Sequence, residues 1–411
     1  MTRSPRWLIA VVALIAAPAC TSSTPDPPGR EVAASERTST GLWTPTSSTD
    51  GDLTRLGLYG GPVKGGGSAS IAAISSSGRF VTSIRPDTGT SGPLLTGTTQ
   101  MGWWLPGEEP TMMINAPKPP GPSQLVSADA HDDTLIWRET RSTNLEAEDW
   151  RILAHSPVGG PAAQVIAAYD DYYGADVVPM FNDDWHPLAL VEDRAYWSIR
   201  DWPTDAPNAP EQRGGLYPDR PTYRILTAPV DGSEKTSQVA LGAYGPARAG
   251  DRLIYIADDR LTSGRTSGTP RIVESNGSRS RTLYRFDAPT ASTRITMTCG
   301  TSTYIAWAAT KNGRDEINIL PRDEMHPRRI PLRSAGGSTE IACGDRFIAW
   351  GRGSGRGDAT LYLYDIASQK KTELGATRAY GRVRAQGDTL AYPKKTDGSR
   401  PARWVVATWR P

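Results

Sequence analysis

The sequence has little that would support catalysis or cofactor binding. It contains three cysteines and four histidines in 411 residues. No G-x-S-x-G, H-E-x-x-H or P-loop motif occurs, so the usual signatures of serine hydrolases, zinc proteases and nucleotide-binding enzymes are missing. An excess of charge of one sign is also lacking, because 46 basic residues face 44 acidic ones. This balance argues against a nucleic-acid partner, and we predict no catalytic residue, metal ion or cofactor.

Long helical patterns are absent as well. The 41 glycines and 34 prolines indicate many turns. Thirteen Trp and fifteen Tyr against four Phe favour strands with amphipathic aromatic residues at their rims. The composition therefore predicts an all-β protein.

The N-terminus reads as a targeting segment. Two arginines precede the apolar run "LIAVVALIAAPA", which is too short to cross a bilayer core of ~30 Å as a helix. The run ends Ala17-Pro18-Ala19-Cys20, which resembles a bacterial lipobox, although the pattern prefers Leu where Ala17 stands. That resemblance implies lipidation of Cys20 and anchoring on the extracytoplasmic side of the cell membrane. Plain secretion stays open, because Ala-Pro-Ala also fits an ordinary cleavage site.

Three regions follow from this interpretation. Residues 1–19 are the predicted lipoprotein signal peptide, and residues 20–42 are a Ser/Thr/Pro-rich tether. Such a tether cannot bury enough apolar surface to offset its ordering entropy, so it is expected to be disordered. Residues 43–411 are the predicted folded domain, which we expect to be a monomer.

A short phrase recurs along this domain. Each copy opens with a turn pair and then alternates apolar and polar residues, as a half-buried strand does. The copies are "GRFVTSI" (78–84), "DDTLIW" (132–137), "EDRAYW" (192–197), "GDRLIY" (250–255), "GTSTYIAW" (300–307), "GDRFIAW" (344–350) and "GDTLAY" (387–392). Further strands follow each copy. In the fourth repeat we assign "TLYRFD" (282–287) to the next strand after the strand of the phrase.

Four antiparallel strands repeated seven times predict a seven-bladed β-propeller, with six or eight blades as alternatives. Sheets packed radially cover one another's faces, which a single sheet cannot do. The last repeat is one strand short, and "LTRLGL" (53–58) resembles "KTELGA" (371–376). An N-terminal strand is therefore expected to complete the last blade and close the ring. The aromatic residues that end the phrases are expected to fill the spaces between blades; they are Trp137, Trp197, Tyr255, Trp307, Trp350 and Tyr392.

Two scaffold motifs carry a family resemblance. They are the "GD-x-hydrophobic-x-W/Y" phrase and "LY-x-x-D", which runs from Leu283 to Asp287 and from Leu361 to Asp365. Residues 50–411 resemble the TolB-like β-propeller family in the form carried by bacterial surface lipoproteins. The resemblance implies the propeller fold and no catalytic residue.

Cys299 and Cys343 hold the same register in successive repeats. Near the propeller axis, neighbouring blades approach within the ~7 Å between Cα atoms that a disulfide requires. We predict a disulfide in the oxidising extracytoplasmic compartment, with two buried thiols as the alternative.

Long insertions are expected on one face, over blades 2 to 4. They are residues 138–149, 169–187, 200–221 and 258–281, and loops on a rigid ring are where binding usually takes place. The acidic and aromatic side chains there suit sugars, cationic peptides or Ca²⁺, while a self-packed surface loop is the alternative. The candidate binding residues are Tyr169, Asp170, Asp171, Tyr172, Tyr173, Asp183, Asp184, Trp185 and Trp202.

The leading hypothesis is a non-enzymatic envelope lipoprotein that binds a protein or glycan partner through this face. An enzyme acting on envelope glycans or peptides, with Asp183 and Asp184 as acid/base groups, is one alternative. An accessory or sensor subunit of a membrane kinase or transporter is another. On the opposite face, His131 and His155 lie near acidic residues, but two histidines in unrelated turns are more often solvated than metal-bound.

Overall fold

A computed structural model describes most of the chain from Trp43 onwards. The described residues are 43–50, 52–62, 68–85, 99–106, 112–114, 116–117, 123–140, 149–156, 162–173, 187–201, 222–262, 268–286, 289, 293–332, 338–353, 358–378, 383–394 and 403–410. The predicted signal peptide, the tether and Cys20 lie outside them. Within the described part, no helix has the length and apolar character needed to cross a membrane.

The strands form seven antiparallel sheets, which we number as blades in chain order. Two strands come first, β1 (Trp43–Asp50) and β2 (Leu53–Tyr59). Blade 1 contains β3 (Gly61–Pro62), β4 (Ser68–Ile74), β5 (Phe80–Arg85), β6 (Gln100–Trp104) and β7 (Met112–Met113). Blade 2 contains β8 (Gln124–His131), β9 (Thr134–Thr140), β10 (Trp150–His155) and β11 (Gln164–Ala168). Blade 3 contains β12 (Ala189–Val191), β13 (Arg194–Asp201), β14 (Thr222–Pro229) and β15 (Ser237–Leu241).

The remaining blades repeat the pattern. Blade 4 contains β16 (Ala243–Ala249), β17 (Arg252–Ala257), β18 (Arg271–Ser275) and β19 (Ser280–Arg285). Blade 5 contains β20 (Arg294–Gly300), β21 (Tyr304–Lys311), β22 (Arg314–Pro321) and β23 (Arg328–Pro331). Blade 6 contains β24 (Ser338–Cys343), β25 (Phe347–Gly353), β26 (Asp358–Asp365) and β27 (Lys371–Arg378). Blade 7 contains β28 (Arg384–Gln386), β29 (Thr389–Lys394) and β30 (Arg403–Trp409).

The first long strand of each blade lines the axis. These strands contact one another in a closed circle, in the order β4, β8, β12, β16, β20, β24, β28 and back to β4. One hydrophobic cluster lies between each pair of neighbouring blades, so every sheet buries both of its faces. The protein is a seven-bladed β-propeller, as the repeats predicted.

The recurring phrase is the turn from the first to the second strand of a blade, together with that second strand. Its opening residue adopts a left-handed backbone conformation in several blades, with φ of 48° at Asp132, 54° at Glu192, 68° at Gly250 and 58° at Gly387. Glycine adopts this conformation without a steric penalty, and Asp tolerates it better than most residues. The turn therefore explains why the phrase opens so often with glycine and tolerates Asp132.

The aromatic residues that end the phrases are buried between blades, as predicted. Their relative exposures do not exceed 5 %, for Trp137, Trp197, Tyr255, Trp307, Trp350 and Tyr392. Burying each of these side chains contributes on the order of 1.5–3 kcal/mol. Their role is structural.

The N-terminal strand closes the ring. β2 pairs antiparallel with β30, with Leu53 opposite Trp409 and Tyr59 opposite Trp404. β1 then pairs with β2, so the last sheet has the order β1, β2, β30, β29, β28. The expectation that residues 53–58 supply the missing strand of the last blade is confirmed.

Blade 4 differs from the sequence-based assignment in one respect. "RIVES" forms the third strand, β18, and "TLYRF" belongs to the fourth strand and the residue after it. The segment between the second and third strands is therefore residues 258–270, and the expected insertion of 258–281 is wrong. Both stretches alternate apolar and polar residues, and β18 is the buried one of the two while β19 is largely exposed.

Candidate functional site

The connections leave the sheets on two faces. Turns between first and second strands are short, such as residues 132–133, 192–193 and 250–251, and we call their side the turn face. Connections between second and third strands, and from one blade to the next, leave on the other side, which we call the loop face. The long connections there are residues 86–99, 114–123, 141–149, 169–188, 202–221 and 258–270. Segment 86–99 of blade 1 was not singled out in the sequence, although the distance between "GRFVTSI" and "GWWLP" would have indicated it.

The beginning of segment 169–188 is held in the core. A short helix, α1 (Tyr169–Tyr173), follows β11. The Tyr169 ring is 4 % exposed and meets the Trp150 ring edge-on at 6.2 Å between centroids. Tyr172 is partly buried against the same cluster between blades 2 and 3. For these two residues the structure corresponds to the self-packed alternative.

Two of the candidate residues lie on the surface of the loop face. Asp170 and Asp171 are exposed in the first turn of α1. The buried Tyr169 side chain holds the start of α1 against the ring, so the backbone that carries both carboxyl groups is fixed there. The other candidates lie outside the described residues and stay predictions; they are Asp183, Asp184, Trp185, Trp202 and the side chain of Tyr173.

The base of segment 258–270 is tied down by an ion pair. Asp258 caps a 3-10 turn, Asp259–Leu261, by accepting a hydrogen bond from the Arg260 backbone N–H. The Arg260 side chain donates from Nη2 to Asp258 Oδ2 at 2.6 Å and to the Thr293 carbonyl at 2.6 Å. The hydrogen bond to Asp258 raises the pKa of the Arg260 guanidinium. Arg271 pairs with Asp259 at 3.1 Å, which joins the turn to β18.

The base of segment 141–149 rests on a buried ion pair. Glu139 Oε2 accepts from Arg151 Nη2 at 2.8 Å, and the two side chains are 1 % and 8 % exposed. Trp137 Nε1 donates to the other Glu139 oxygen at 2.7 Å. On the opposite side of the sheet, Arg138 Nη1 donates to the Ser198 carbonyl of blade 3 at 3.0 Å. A buried ion pair offsets its desolvation cost only with good geometry and additional hydrogen bonds, so these contacts restrain the strand ends that carry the segment.

A cavity of about 300 Å³ runs along the propeller axis. Its wall includes Asp129, Arg248, Glu340 and Arg384, from four different blades. Arg248 reaches across the axis, with Nη1 2.9 Å from His131 Nδ1 in blade 2 and Nη2 donating to Gln386 Oε1 at 3.1 Å in blade 7. Burial and the neighbouring Arg248 charge lower the pKa of His131.

The histidines do not form a metal site in the described part of the chain, where no group of three or more His, Cys, Asp and Glu side chains comes together. The His131 ring nitrogen faces a guanidinium, which is a poor neighbour for a cation. His155 is 6 % exposed and buried in β10, so the expectation that it is solvated is wrong for this residue. It lies on the buried third strand of its blade, a placement that its sequence position alone did not reveal.

Cys299 and Cys343 are joined by a disulfide, with their Cα atoms 5.7 Å apart. They belong to β20 and β24, the innermost strands of blades 5 and 6, and both line the axial cavity. The bond therefore connects two blades beside the axis.

No family model matches the sequence, and no curated protein matches it. The structure is similar to that of an oligogalacturonate lyase in complex with manganese, at 8 % identity and a TM-score of 0.50, covering 89 % of this chain and 98 % of that one. It is also similar to the β-propeller domain of the Trilobed protease from Pyrococcus furiosus, at 9 % identity and a TM-score of 0.49, covering 81 % and 97 %. TolB from Acinetobacter baumannii matches at 14 % identity and a TM-score of 0.35, covering 69 % of each chain. At such identities, similarity shows the fold alone.

Proposed function

We propose that the protein is a non-enzymatic, lipid-anchored binding protein that captures a protein or envelope glycan through its loop face. The observation that carries the proposal is the position of the long connections. Residues 141–149, 169–188, 202–221 and 258–270 all leave blades 2 to 4 on the same side. In contrast, the corresponding connection in blade 5 is the tight turn 312–313.

The ring supports such a role because it supplies rigid bases for these segments. Tyr169 is packed in the core, Arg260 is bonded to Asp258, and Glu139 is paired with Arg151. Segments with fixed ends lose less conformational entropy when they bind than segments with free ends do. The exposed carboxyl groups of Asp170 and Asp171 favour a partner with a cationic surface or with hydroxyl groups.

The first test places a photo-crosslinking amino acid at Asp171, on the loop face, in the full-length protein in intact cells. We expect a specific crosslinked product, identified by mass spectrometry, because a partner that covers the loop face lies within reach of this position. The matched control is Lys370, which is exposed in a turn-face connection of blade 6. The same product at both positions, or none at Asp171, would contradict docking on the loop face.

The second test concerns the anchor. Replacing the thiol in Cys20→Ser leaves no sulfur for lipid attachment, so the protein should move from the membrane fraction to the soluble extracytoplasmic fraction. Immunoblotting of the two fractions measures the shift, and the thermal unfolding of the propeller serves as the control for folding. If the Cys20→Ser protein stayed in the membrane fraction, lipid anchoring through Cys20 would be contradicted. The proposed binding through the loop face does not depend on this result.

A further inference from the structure

A second cavity lies on the turn face, between blades 4 and 5. We call it the arginine pocket. Its volume is about 410 Å³, and it is lined by Ala249, Asp251, Arg252, Glu274, Arg281, Ser302 and Arg322. It is formed by turns and strand ends of two blades and is separate from the segments of the loop face.

The floor of the pocket is a fixed ion cluster. The Glu274 side chain is 7 % exposed and accepts hydrogen bonds from Arg281 Nε at 2.7 Å and from Arg322 Nη1. Arg322 Nη2 also donates to the Ala249 carbonyl at 3.0 Å and to the Thr301 carbonyl at 3.3 Å. Burial alone would raise the pKa of Glu274, but hydrogen bonds from Arg322 and Arg281 lower it below its usual value. Glu274 is therefore ionised and engaged, and it holds two guanidinium groups in place.

The rim of the pocket keeps hydrogen-bond donors available. Among the described residues, Arg281 uses Nε and Nη2 on Glu274, and its Nη1 has no partner. Arg252 approaches Asp251 with Nε at 3.4 Å, and both of its Nη atoms have no partner in that part of the chain. The Arg281 and Arg252 side chains are 68 % and 40 % exposed, so a solute can reach them. Three guanidinium groups face two carboxylates around the cavity, which leaves an excess of positive charge.

The wall of the pocket is defined by a close approach of the two blades. Gly250 has φ of 68°, and a Cβ atom at this position would lie 3.2 Å from the Ser302 Cα. Glycine therefore lets the turn of blade 4 pack directly against the turn of blade 5. This packing places Ser302 in the lining of the same cavity as Arg252.

We propose that the arginine pocket binds an oxyanion of the phosphate class, with Arg252, Arg281 and Ser302 as its ligands. The planar guanidinium group presents parallel N–H donors that match two oxygens of a phosphate group. Glu274 and Arg322 position Arg281 and do not themselves bind the anion. The phosphate group belongs either to a free solute or to a lipid headgroup, since both present at least two non-bridging oxygens to a guanidinium group.

The test titrates inorganic phosphate into the full-length protein and follows binding by isothermal calorimetry, with sodium chloride at equal ionic strength as the reference. We expect saturable binding at one site. Arg252→Gln leaves the Glu274 cluster intact and should weaken binding about tenfold, as the loss of one charge-assisted hydrogen bond does. Arg281→Gln should weaken it by at least as much. Arg285→Gln is the matched control, because Arg285 is exposed on the same strand but does not line the pocket, and it should bind as the unchanged protein does.

A second arm separates the two sources of phosphate. Vesicles of phosphatidylcholine with phosphatidylglycerol are sedimented with the propeller lacking residues 1–42, so that the predicted anchor does not contribute. If the propeller sediments with the vesicles and Arg252→Gln abolishes this, the ligand of the pocket is a lipid headgroup. If the protein binds phosphate but does not sediment with the vesicles, the ligand is a free solute. The proposal would be overturned if neither saturable phosphate binding nor Arg252-dependent sedimentation were observed, or if the wild-type protein and a correctly folded Arg252→Gln variant bound equally in both assays.

Discussion

A chain that starts at residue 60 is expected to lose most of its stability, compared with one that starts at residue 43. The shorter chain lacks β2, whose Leu53 and Tyr59 are 2 % and 0 % exposed. Its absence also uncovers one edge and part of the surface of β30, where Trp404 and Trp409 are buried. At about 1.5–3 kcal/mol for each large apolar side chain returned to water, the loss is on the order of 5 kcal/mol or more. Domains are stable by only about 5–15 kcal/mol in total, so the shorter chain should be largely unfolded.

Thermal unfolding followed by circular dichroism measures this difference, and hydrogen exchange at β30 locates it. The exposed edge of β30 should also make the shorter chain prone to association, since an unpaired strand edge is a template for pairing. If the two chains melted at the same temperature, the pairing of β2 with β30 would not close the ring in solution.

Removing the disulfide is expected to lower the free energy of unfolding by about 4 kcal/mol, from the entropy of the unfolded chain that the cross-link restricts. Cys299 and Cys343 are 44 residues apart in the sequence, and each lies on the innermost strand of its blade. The double variant Cys299→Ala/Cys343→Ala should show this loss in denaturant titrations under non-reducing conditions. Reduction of the unchanged protein should produce nearly the same loss.

The double variant contains its own control. A reductant has no bond to break in it, so its stability should be unaffected by reduction. If a reductant did not change the free energy of unfolding of the wild-type protein, and mass spectrometry detected Cys299 and Cys343 as free thiols, the two cysteines would not be bonded. In that case, buried thiols would be the correct assignment.

The fold was largely predictable because its information is local and repeated. Most copies of the phrase encode a turn with a left-handed first residue, followed by a strand that contains a buried aromatic residue, as Gly250 and Tyr255 illustrate. Seven copies of one such unit allow few arrangements other than a ring. The closing strand was also detectable, because "LTRLGL" repeats the pattern of an outer strand already present in blade 6.

Blade 4 shows where local patterns were insufficient. The "LY" motif at Leu283 lies on the fourth strand of blade 4, whereas the same motif at Leu361 lies on the third strand of blade 6. Alternation of apolar and polar residues is similar in both strands, so the motif does not specify its position in the blade. The position depends on whether the preceding segment forms a strand, as Arg271–Ser275 does in blade 4.

The side of the ring on which the candidate segments leave was predictable from strand order, but the orientation of their side chains was not. The sequence showed that acidic and aromatic residues concentrate in segment 169–187. It did not show that Tyr169 turns inward, because that depends on Trp150, which lies on β10 outside this segment. The arginine pocket was missed altogether, since Arg252, Arg281 and Arg322 lie in three unrelated segments with no common motif.

By itself, the sequence determined the propeller fold, the closing strand and the face on which the long connections leave, and it favoured seven blades over six or eight, because turn geometry and strand alternation act between near neighbours along the chain. Only the tertiary structure decided which charged and polar groups meet across the blades. Those contacts join residues such as Arg248 and Gln386, whose proximity results from closing the ring and leaves no local pattern.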